Sequence, residues 1–294
     1  MPSLDDKTVV ITGAASGIGL ALAKKLSGQG HRLVLADVDR GRLEDIKGEV
    51  DSKSILVDCD VSKESDCEEL AGVTRENFGA PQLLFNNAGV ISRFASTWEQ
   101  PSAEWERVLS VNVKGVANVL RVFVPSMLSQ QASSHIINTA SEAALTSRGF
   151  VGTYHASKHA VLAISEALAQ ELSYLKAKVR VSVLCPGGVN TGVLDGLSDE
   201  VERTGDASGK ASQALERAYR KSLPKAMSPD DVAERVLQGV VNGDFYIFSH
   251  PEVALLPELR ASAVKENEYP SIPAGLQQQM VEHGDDANGP TRPS

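Results

Sequence analysis

The sequence predicts an α/β domain: a seven-stranded parallel sheet, doubly wound, with helices on both faces. Two observations carry this. Short apolar runs alternate with helical stretches from residue 8 to about residue 250, the rhythm of strands joined by crossover helices. The first apolar run enters a glycine-rich turn that opens directly into a helix, which is the context that gives such glycines meaning.

Taken in order, 8–12 (TVVIT) reads as a buried, β-branched strand. It leads into TGAASGIG, Thr12 to Gly19, and a helical stretch closing on Gly30. Gly13 permits a turn with unusual dihedrals. Gly17 and Gly19 let backbone approach a pyrophosphate and let the helix pack on the strand, with the helix N-terminus facing the phosphates. The alternative is a tight turn without a ligand. The second strand, RLVLAD, ends at Asp37, eighteen residues after Gly19, where a carboxylate accepts hydrogen bonds from adenosine ribose hydroxyls. A capping or turn Asp is the alternative there. Residues 40–50 read as a helix, 54–61 as the third strand with Asp60 at its end, and 63–78 as a helix closed by Gly79. The fourth strand, 81–89, runs into Asn86, Asn87 and Gly89, at the sheet edge where open α/β sheets bind ligands. Residues 103–130 read as one long helix bent near Pro125. It contains Asn112, which by itself reads as a local hydrogen-bonding device.

The fifth strand, 134–141, delivers Ser141. A helix over 152–175 follows, then the sixth strand, 178–187, closed by PGGVNTG. Residues 193–225 break the rhythm; polar, with two short helices near 198–203 and 210–222, they are expected to form a lid. Ser228 caps and Pro229 opens a helix over 228–243. A seventh strand (244–249) and a last helix (257–268) complete one Rossmann-like domain, 1–283. Residues 284–294 have nothing to bury and are expected to be a disordered tail.

A net charge of −9 over 294 residues argues against nucleic acid or an acidic membrane as partner. Cys59, Cys67 and Cys185 cannot all pair, and their spacing fits no metal site. Cys59 and Cys185 lie in or beside apolar runs, as small core residues do. The start, MPSLDDKTVV, is acidic before it is apolar, unlike a signal peptide, and no apolar run approaches a membrane span. The expectation is a soluble protein of a reducing, cytoplasmic compartment, without metal.

The chemistry centres on Tyr154 and Lys158. Four apart in a helix, they share one face about 6 Å apart along the axis. An ammonium there should lower the tyrosine pKa below about 10. A tyrosine that gives and takes a proton near neutral pH serves alcohol oxidation or ketone reduction. Ser141 stands thirteen residues earlier, at a strand end. Taken alone, a Tyr and a Lys at this spacing occur on many surface helices.

In this order and spacing the motifs resemble those of the short-chain dehydrogenase/reductase family, in its compact single-domain branch, over about residues 5–250. TGAASGIG is similar to the family's glycine motif, its three glycines being Gly13, Gly17 and Gly19, with Ser16 and Ile18 between them. The resemblance implies that Asp60, with Val61 beside it, meets the adenine amino group. It implies that NNAG, with Asn87 and Gly89, supports the central strand and faces the adenosine ribose. Asn112, Ser141, Tyr154 and Lys158 match the family's catalytic tetrad. Tyr154 is then the general acid/base, Ser141 holds the substrate oxygen, and Lys158 lowers the Tyr154 pKa and binds the nicotinamide ribose. Asn112 kinks its helix and holds a water leading from Lys158. PGGVNT, with Pro186 and Gly187, matches the segment that holds the nicotinamide amide through Val189 and Thr191.

The implied reaction is hydride transfer between NAD and a secondary alcohol or ketone. A non-redox reaction on the same fold (a dehydratase, epimerase or cyclase) and an NAD-sensing regulator are the rival readings. NAD rather than NADP follows from Asp37 and from Ala14, Ala15, Ser16 and Val38, none basic; Arg40 is the one basic residue close by. Val193, Leu194, Leu197, Ile91, Phe94, Ala143, Leu145 and Phe150 suggest an apolar or aromatic substrate, or simply pack the core. Val116, Val119, Leu120 and Phe123, with Val161, Leu162, Leu168 and Leu172, exceed what one sheet face needs. A homodimer or homotetramer is expected, unless these residues are simply buried core.

Overall fold

The computed structural model describes residues 6–269, apart from 52, 196 and 198–205. Seven strands carry the fold: β1 (Thr8–Thr12), β2 (Arg32–Asp37), β3 (Ile55–Asp58), β4 (Leu83–Asn86), β5 (Ser134–Thr139), β6 (Val179–Cys185) and β7 (Tyr246–Phe248). Each side of the sheet has its own apolar core, and the strands feed both alternately, because successive side chains point to opposite faces. Val9 and Ile11 of β1 enter one core while Val10 enters the other; Leu33 and Leu35 of β2 oppose Val34 and Ala36 in the same way. Strands buried on both faces are apolar at every position, which is why these segments read as unbroken runs.

All neighbouring strands are parallel, in the order β3-β2-β1-β4-β5-β6-β7. The winding direction reverses between β1 and β4, and the crevice outside their C-terminal ends is where an open α/β sheet holds a ligand. On one face lie α1 (Gly17–Leu26) and α8 (Pro229–Asn242), packing Leu22, Leu26, Val232 and Val236 onto the sheet, with Leu43 of α2 (Arg40–Asp45) beside them. On the other lie α3 (Glu64–Phe78), α5 (Val116–Ser129) and α6 (Gly152–Tyr174), contributing Leu70, Phe123 and Val161. The capping of α8 follows the sequence: Ser228 Oγ accepts from Asp231 N at 3.1 Å, and Gly243 ends the helix at φ 79°, a left-handed conformation that favours glycine.

Several elements differ from the sequence expectation. The third strand stops at Asp58, because the Asp60 carboxylate turns the chain by accepting from Ser62 N and Oγ at 3.0 and 2.7 Å. The fifth strand stops at Thr139, before Ser141. Residues 40–50 break into α2 and a 3₁₀ turn at Ile46–Gly48. The long helix runs as α4 (Ser102–Leu109), a π-helical turn at Ser110–Gly115, and α5. Its irregularity falls at Asn112, and regular structure continues through Pro125. Asn112 is tied to the segment after β4, and a Cβ at Gly115 would come within 2.7 Å of Val61 Cγ2.

Two expectations about surfaces are corrected. The stretch Ser102–Ser129 is, by length and composition, long and apolar enough to cross a membrane, with a mean hydropathy of 1.3 over its most apolar window. Asn112, Lys114, Asn118 and Arg121 interrupt its apolar residues, and its apolar side chains pack in this chain's core. Val116, Val119, Leu120, Phe123, Val161, Leu168 and Leu172, expected to leave a free apolar face, are buried in this chain's own core, with Leu162 packed against it.

After β6, residues 192–194 form a 3₁₀ turn and α7 (Ala207–Ser222) follows, the second of the two short helices expected there. The first, near 198–203, and the tail at 284–294 lie outside the described residues. The chain's last described helix is α9 (Leu256–Lys265).

Candidate active site

The glycine turn is closed by contact. Gly13 and Gly17 have φ of 65° and 52°, where side chains are strained. A Cβ at Gly13 would stand 2.9 Å from Ala88 Cα, and one at Gly19 would overlap the Gly13 carbonyl oxygen. Asn87 ties β4 to this turn: its Nδ2 donates to Thr12 O at 3.0 Å, and its N–H to Thr12 Oγ1 at 3.0 Å. Ser16, exposed, stands before α1 without a side-chain cap bond, and the first turn holds no acidic residue. Ile18 packs against the core. The positive end of α1 is therefore left for an outside anion, and the cradle fits a dinucleotide pyrophosphate.

Asp37 ends β2 beside this turn. Its Oδ2 accepts from Ala15 N and its Oδ1 from Asp39 N, both at 3.0 Å. The carboxylate thus braces the turn as well as facing the crevice. The nearby arginines are already paired, Arg40 with Glu44 and Arg42 with Asp39, each at 3.3 Å. Beyond Asp37 a cavity of about 630 Å³ is lined by Val38, Arg40, Asp60 and Lys63. Val38 is 65% exposed there, an apolar surface that suits a flat aromatic ring. Burial alone would raise the Asp60 carboxyl, but the Ser62 hydrogen bonds and the Lys63 charge outweigh it and hold the group below its ordinary value. Val61, in contrast, is buried, and its carbonyl is bound by Asn118.

The structure brings Asn112, Ser141, Tyr154 and Lys158 together beyond β4 and β5. Asn112 Oδ1 accepts from Val90 N at 2.8 Å, and its Nδ2 donates to Val90 O at 2.8 Å and Ser157 Oγ at 2.9 Å. Ser157 Oγ in turn donates to the Tyr154 carbonyl at 2.7 Å. The Asn112 amide thus uses both its N–H donors and one acceptor position on protein partners. Lys158 is buried, and its Nζ donates to Thr139 O at 2.9 Å. Gly89 completes the enclosure: a Cβ there would lie 3.2 Å from Lys158 Nζ and 3.3 Å from Asn112 Oδ1. Ser141 Oγ accepts from Ala143 N at 3.1 Å, and its hydroxyl stands near enough to Tyr154 to favour the ionised phenol.

The electrostatics correct the simplest expectation for the pair. Burial pushes the Tyr154 hydroxyl well above its ordinary value; Ser141 only partly offsets this, and Tyr219 and Glu142 add to it. Lys158 lies 5.8 Å from the Tyr154 ring centre, its ammonium turned to Thr139, and it does not lower the phenol. Burial instead brings Lys158 itself down to about 8.

The far rim is the segment after β6. Pro186 O accepts from Glu142 N at 2.8 Å, tying this rim to the Ser141 turn. Gly187 N donates to Ser249 Oγ at 3.1 Å, and a Cβ at Gly187 would strike His250 Nδ1 at 2.7 Å. Val189 is buried and bridges to Met227. Thr191 comes so near the glycine turn that a Cβ at Gly17 would meet its Cγ2 at 3.1 Å. Of the expected pocket residues, Ile91, Phe94 and Leu194 cluster with Val193 and Leu197 against Tyr154, joined by Val151, Leu215, Tyr219 and Leu223. Leu145 does not belong; it packs in the core on the α6 side of the sheet.

Two supports escape sequence reasoning. His155 is buried, and its Nδ1 lies 3.0 Å from Ala143 O and 2.8 Å from Thr146 O. Two carbonyls fix the proton on Nδ1, so this side chain locks the turn after Ser141 onto α6. Its position next to Tyr154 is the one signal. Glu104, also buried, accepts from Arg93 N at 2.7 Å and pairs with Arg107, whose guanidinium reaches Ile91 O at 2.6 Å. The pair clamps the segment that carries Ile91, and an i, i+3 spacing on a helix is too common to announce it.

Residues 7–202 match the family model of the short chain dehydrogenases. A solved structure of a short chain dehydrogenase/reductase from Burkholderia phymatum, in complex with NAD, superposes with a TM-score of 0.84 at 38% identity, covering 93% of this chain and 99% of that one. The 1-deoxy-11-beta-hydroxypentalenate dehydrogenase of Streptomyces exfoliatus is 33% identical over 86% of each chain. The NADPH-dependent pterin aldehyde reductase of Arabidopsis thaliana is 36% identical over 64% of this chain and 77% of its own.

Proposed function

The chain belongs to the short-chain dehydrogenase/reductase family, and from that premise we propose that it is an NAD-dependent alcohol dehydrogenase or carbonyl reductase acting on an apolar or aromatic secondary alcohol or ketone. The observation that carries this reading is the convergence of Ser141, Tyr154, Lys158 and Asn112 beside the glycine cradle, with an apolar cluster against Tyr154. A regulator that merely senses a dinucleotide has no use for such a constellation.

Bound NAD supplies the hydride acceptor, or in reduced form the donor. Gly13, Ser16, Gly17, Ile18 and Gly19 would hold its pyrophosphate, Asp37 its adenosine ribose, and Asp60 and Val61 its adenine. Asn87 and Gly89 would face its adenosine ribose, Tyr154 and Lys158 its nicotinamide ribose, and Pro186, Gly187, Val189 and Thr191 its amide. Ser141 Oγ donates to the substrate oxygen and fixes its position. In the reducing direction the Tyr154 O–H passes its proton to that oxygen as the carbonyl becomes an alcohol. A phenol held protonated by its surroundings suits this donor role. Lys158, charged below about pH 8 and 5.8 Å from the Tyr154 ring centre, would bind the nicotinamide ribose beside it rather than set the phenol's pKa. In the oxidising direction the same proton returns to Tyr154. Asn112, through Val90 and Ser157, fixes both walls of the Lys158 niche.

For the cofactor, NAD rests on Asp37, whose charge opposes a 2′-phosphate, and on Arg40 and Arg42 being occupied by carboxylates. We assign residues 193–225 to a substrate lid within one catalytic domain, 1–283. The buried free thiols Cys59, Cys67 and Cys185 support a reducing, cytoplasmic setting. Exposed Leu128, Tyr174 and Leu175 at the ends of α5 and α6 support a homodimer or homotetramer. Incubation with NAD and a panel of secondary alcohols, followed by the absorbance of NADH, tests the activity. Turnover of the panel without NADH formation would favour the non-redox alternative.

A further inference from the structure

The apolar cluster against Tyr154 contains a second phenol. Ile91, Phe94, Val151, Leu194 and Leu223 are buried together, and Tyr219 of α7 packs on them from the side of the lid. Its ring is tilted against Phe94 with centres 5.8 Å apart. The helix is anchored by Ser208 Oγ, which donates to Glu99 Oε2 at 2.6 Å and touches Ser96 Oγ. The Tyr219 ring is therefore fixed by packing, while its hydroxyl makes no hydrogen bond to the described residues. A phenol in an apolar wall ordinarily finds a partner for its O–H.

What lies around that hydroxyl indicates the partner. Glu142 and Arg148 form an ion pair at 2.9 Å, with side chains only 21% and 15% exposed. Both charges are felt at Tyr219, and Tyr219 and Glu142 are both felt at Tyr154. Arg148 Nε is buried with no partner. The cluster thus carries, besides Tyr154, a second phenol whose O–H is unused, that of Tyr219. An unused donor in an apolar wall calls for an oxygen. Because Glu142 already neutralises Arg148, that oxygen need carry no charge.

Resting on the oxidoreductase reading above, we infer that the substrate carries, besides its reacting carbonyl or carbinol, a second uncharged hydroxyl or keto oxygen, and that the Tyr219 hydroxyl binds it. The substrate class narrows from apolar ketones to aryl or alkyl hydroxyketones and diketones and the corresponding diols. A site built to hydrogen-bond an oxygen discriminates against the analogue lacking it, since its donors are then left unpaired.

The test compares aryl alkyl ketones with their hydroxy and keto derivatives, propiophenone and its α-hydroxy analogue among them. The readout is the ratio of kcat/KM within each matched pair, for the wild type and Tyr219→Phe, which keeps the ring against Phe94. The wild type should prefer the oxygen-bearing member, and the variant should lose about tenfold of that preference, the worth of one neutral hydrogen bond. A ratio unchanged by the variant, or a wild-type preference for the plain ketones, overturns the inference while leaving the oxidoreductase reading intact. Failure of the wild type to reduce any member of the panel counts against that reading itself, and the inference falls with it.

Discussion

Replacing Asp37 by Asn should weaken the preference for NAD over NADP, and the structure says how far. A 2′-phosphate at roughly 4 Å from the carboxylate would meet about 4 kcal/mol of repulsion per unit charge at an effective dielectric near 20. Asp37 is half-buried, so solvent and salt screen part of this, and about 1.5–3 kcal/mol is the working figure, a ten- to hundredfold effect. Asn removes the charge and keeps one oxygen for the backbone donors Ala15 N and Asp39 N, which the aspartate accepts from on separate oxygens. Asp37→Ala removes both acceptors, so it should also loosen the glycine turn and weaken binding of either cofactor. The assay is kcat/KM with each cofactor for the wild type and both variants. The reasoning predicts an NAD-preferring wild type, a ten- to hundredfold drop in the NAD/NADP ratio in Asp37→Asn, and a lower absolute efficiency in Asp37→Ala. An NADP-preferring wild type, or an unchanged ratio in the Asn variant, would refute it.

If His155 acts by holding the Ser141 turn, His155→Phe should lower kcat about tenfold in the wild type and far less in a Ser141→Ala background; equal losses in both would mean a purely structural role. Burial lowers His135 and His155 to about 4. Their unfolded pKa is near 6.5, so the unfolded chain binds more protons between these values, and stability present above pH 6.5 should fall as pH drops towards 4, by up to about 3 kcal/mol for each. Urea midpoints from pH 7 to 4.5 check this, and a flat profile would reject it. Light scattering at micromolar concentration should give a dimer or tetramer mass; a monomer would remove the oligomer from the account.

How far the sequence could be read depended on what periodicity and spacing register. The alternation of apolar runs and helices placed every strand, since a strand buried on both faces has to be apolar throughout. The glycine turn was legible because Gly13 and Gly19 have no room for a Cβ, a constraint that leaves a mark in composition. What a side chain is bonded to leaves no such mark. The Asp60 carboxylate closes a turn and so cuts the third strand short, and Asn112 bends its helix where Pro125 does not. Spacing put Lys158 and Tyr154 on one face but could not show that the ammonium turns to Thr139 and that burial governs both groups. The apolar stripes of α5 and α6 are legible, but not whether they face the core or a partner, because periodicity cannot count how many neighbours press on each side. Tyr219 lies in the interval where the rhythm fails, and only the folded chain brings it to the cluster against Tyr154.

The central claim is that Tyr154 moves the proton in a hydride-transfer reaction, and single-turnover kinetics of Tyr154→Phe test it most directly. The substitution removes one hydroxyl and little packing, so the melting temperature and the affinity for NAD should stay close to the wild type. Loss of the general acid/base should lower the rate of the chemical step by about a hundred- to ten-thousandfold. A Phe variant that forms NADH at a near-normal rate would contradict the account.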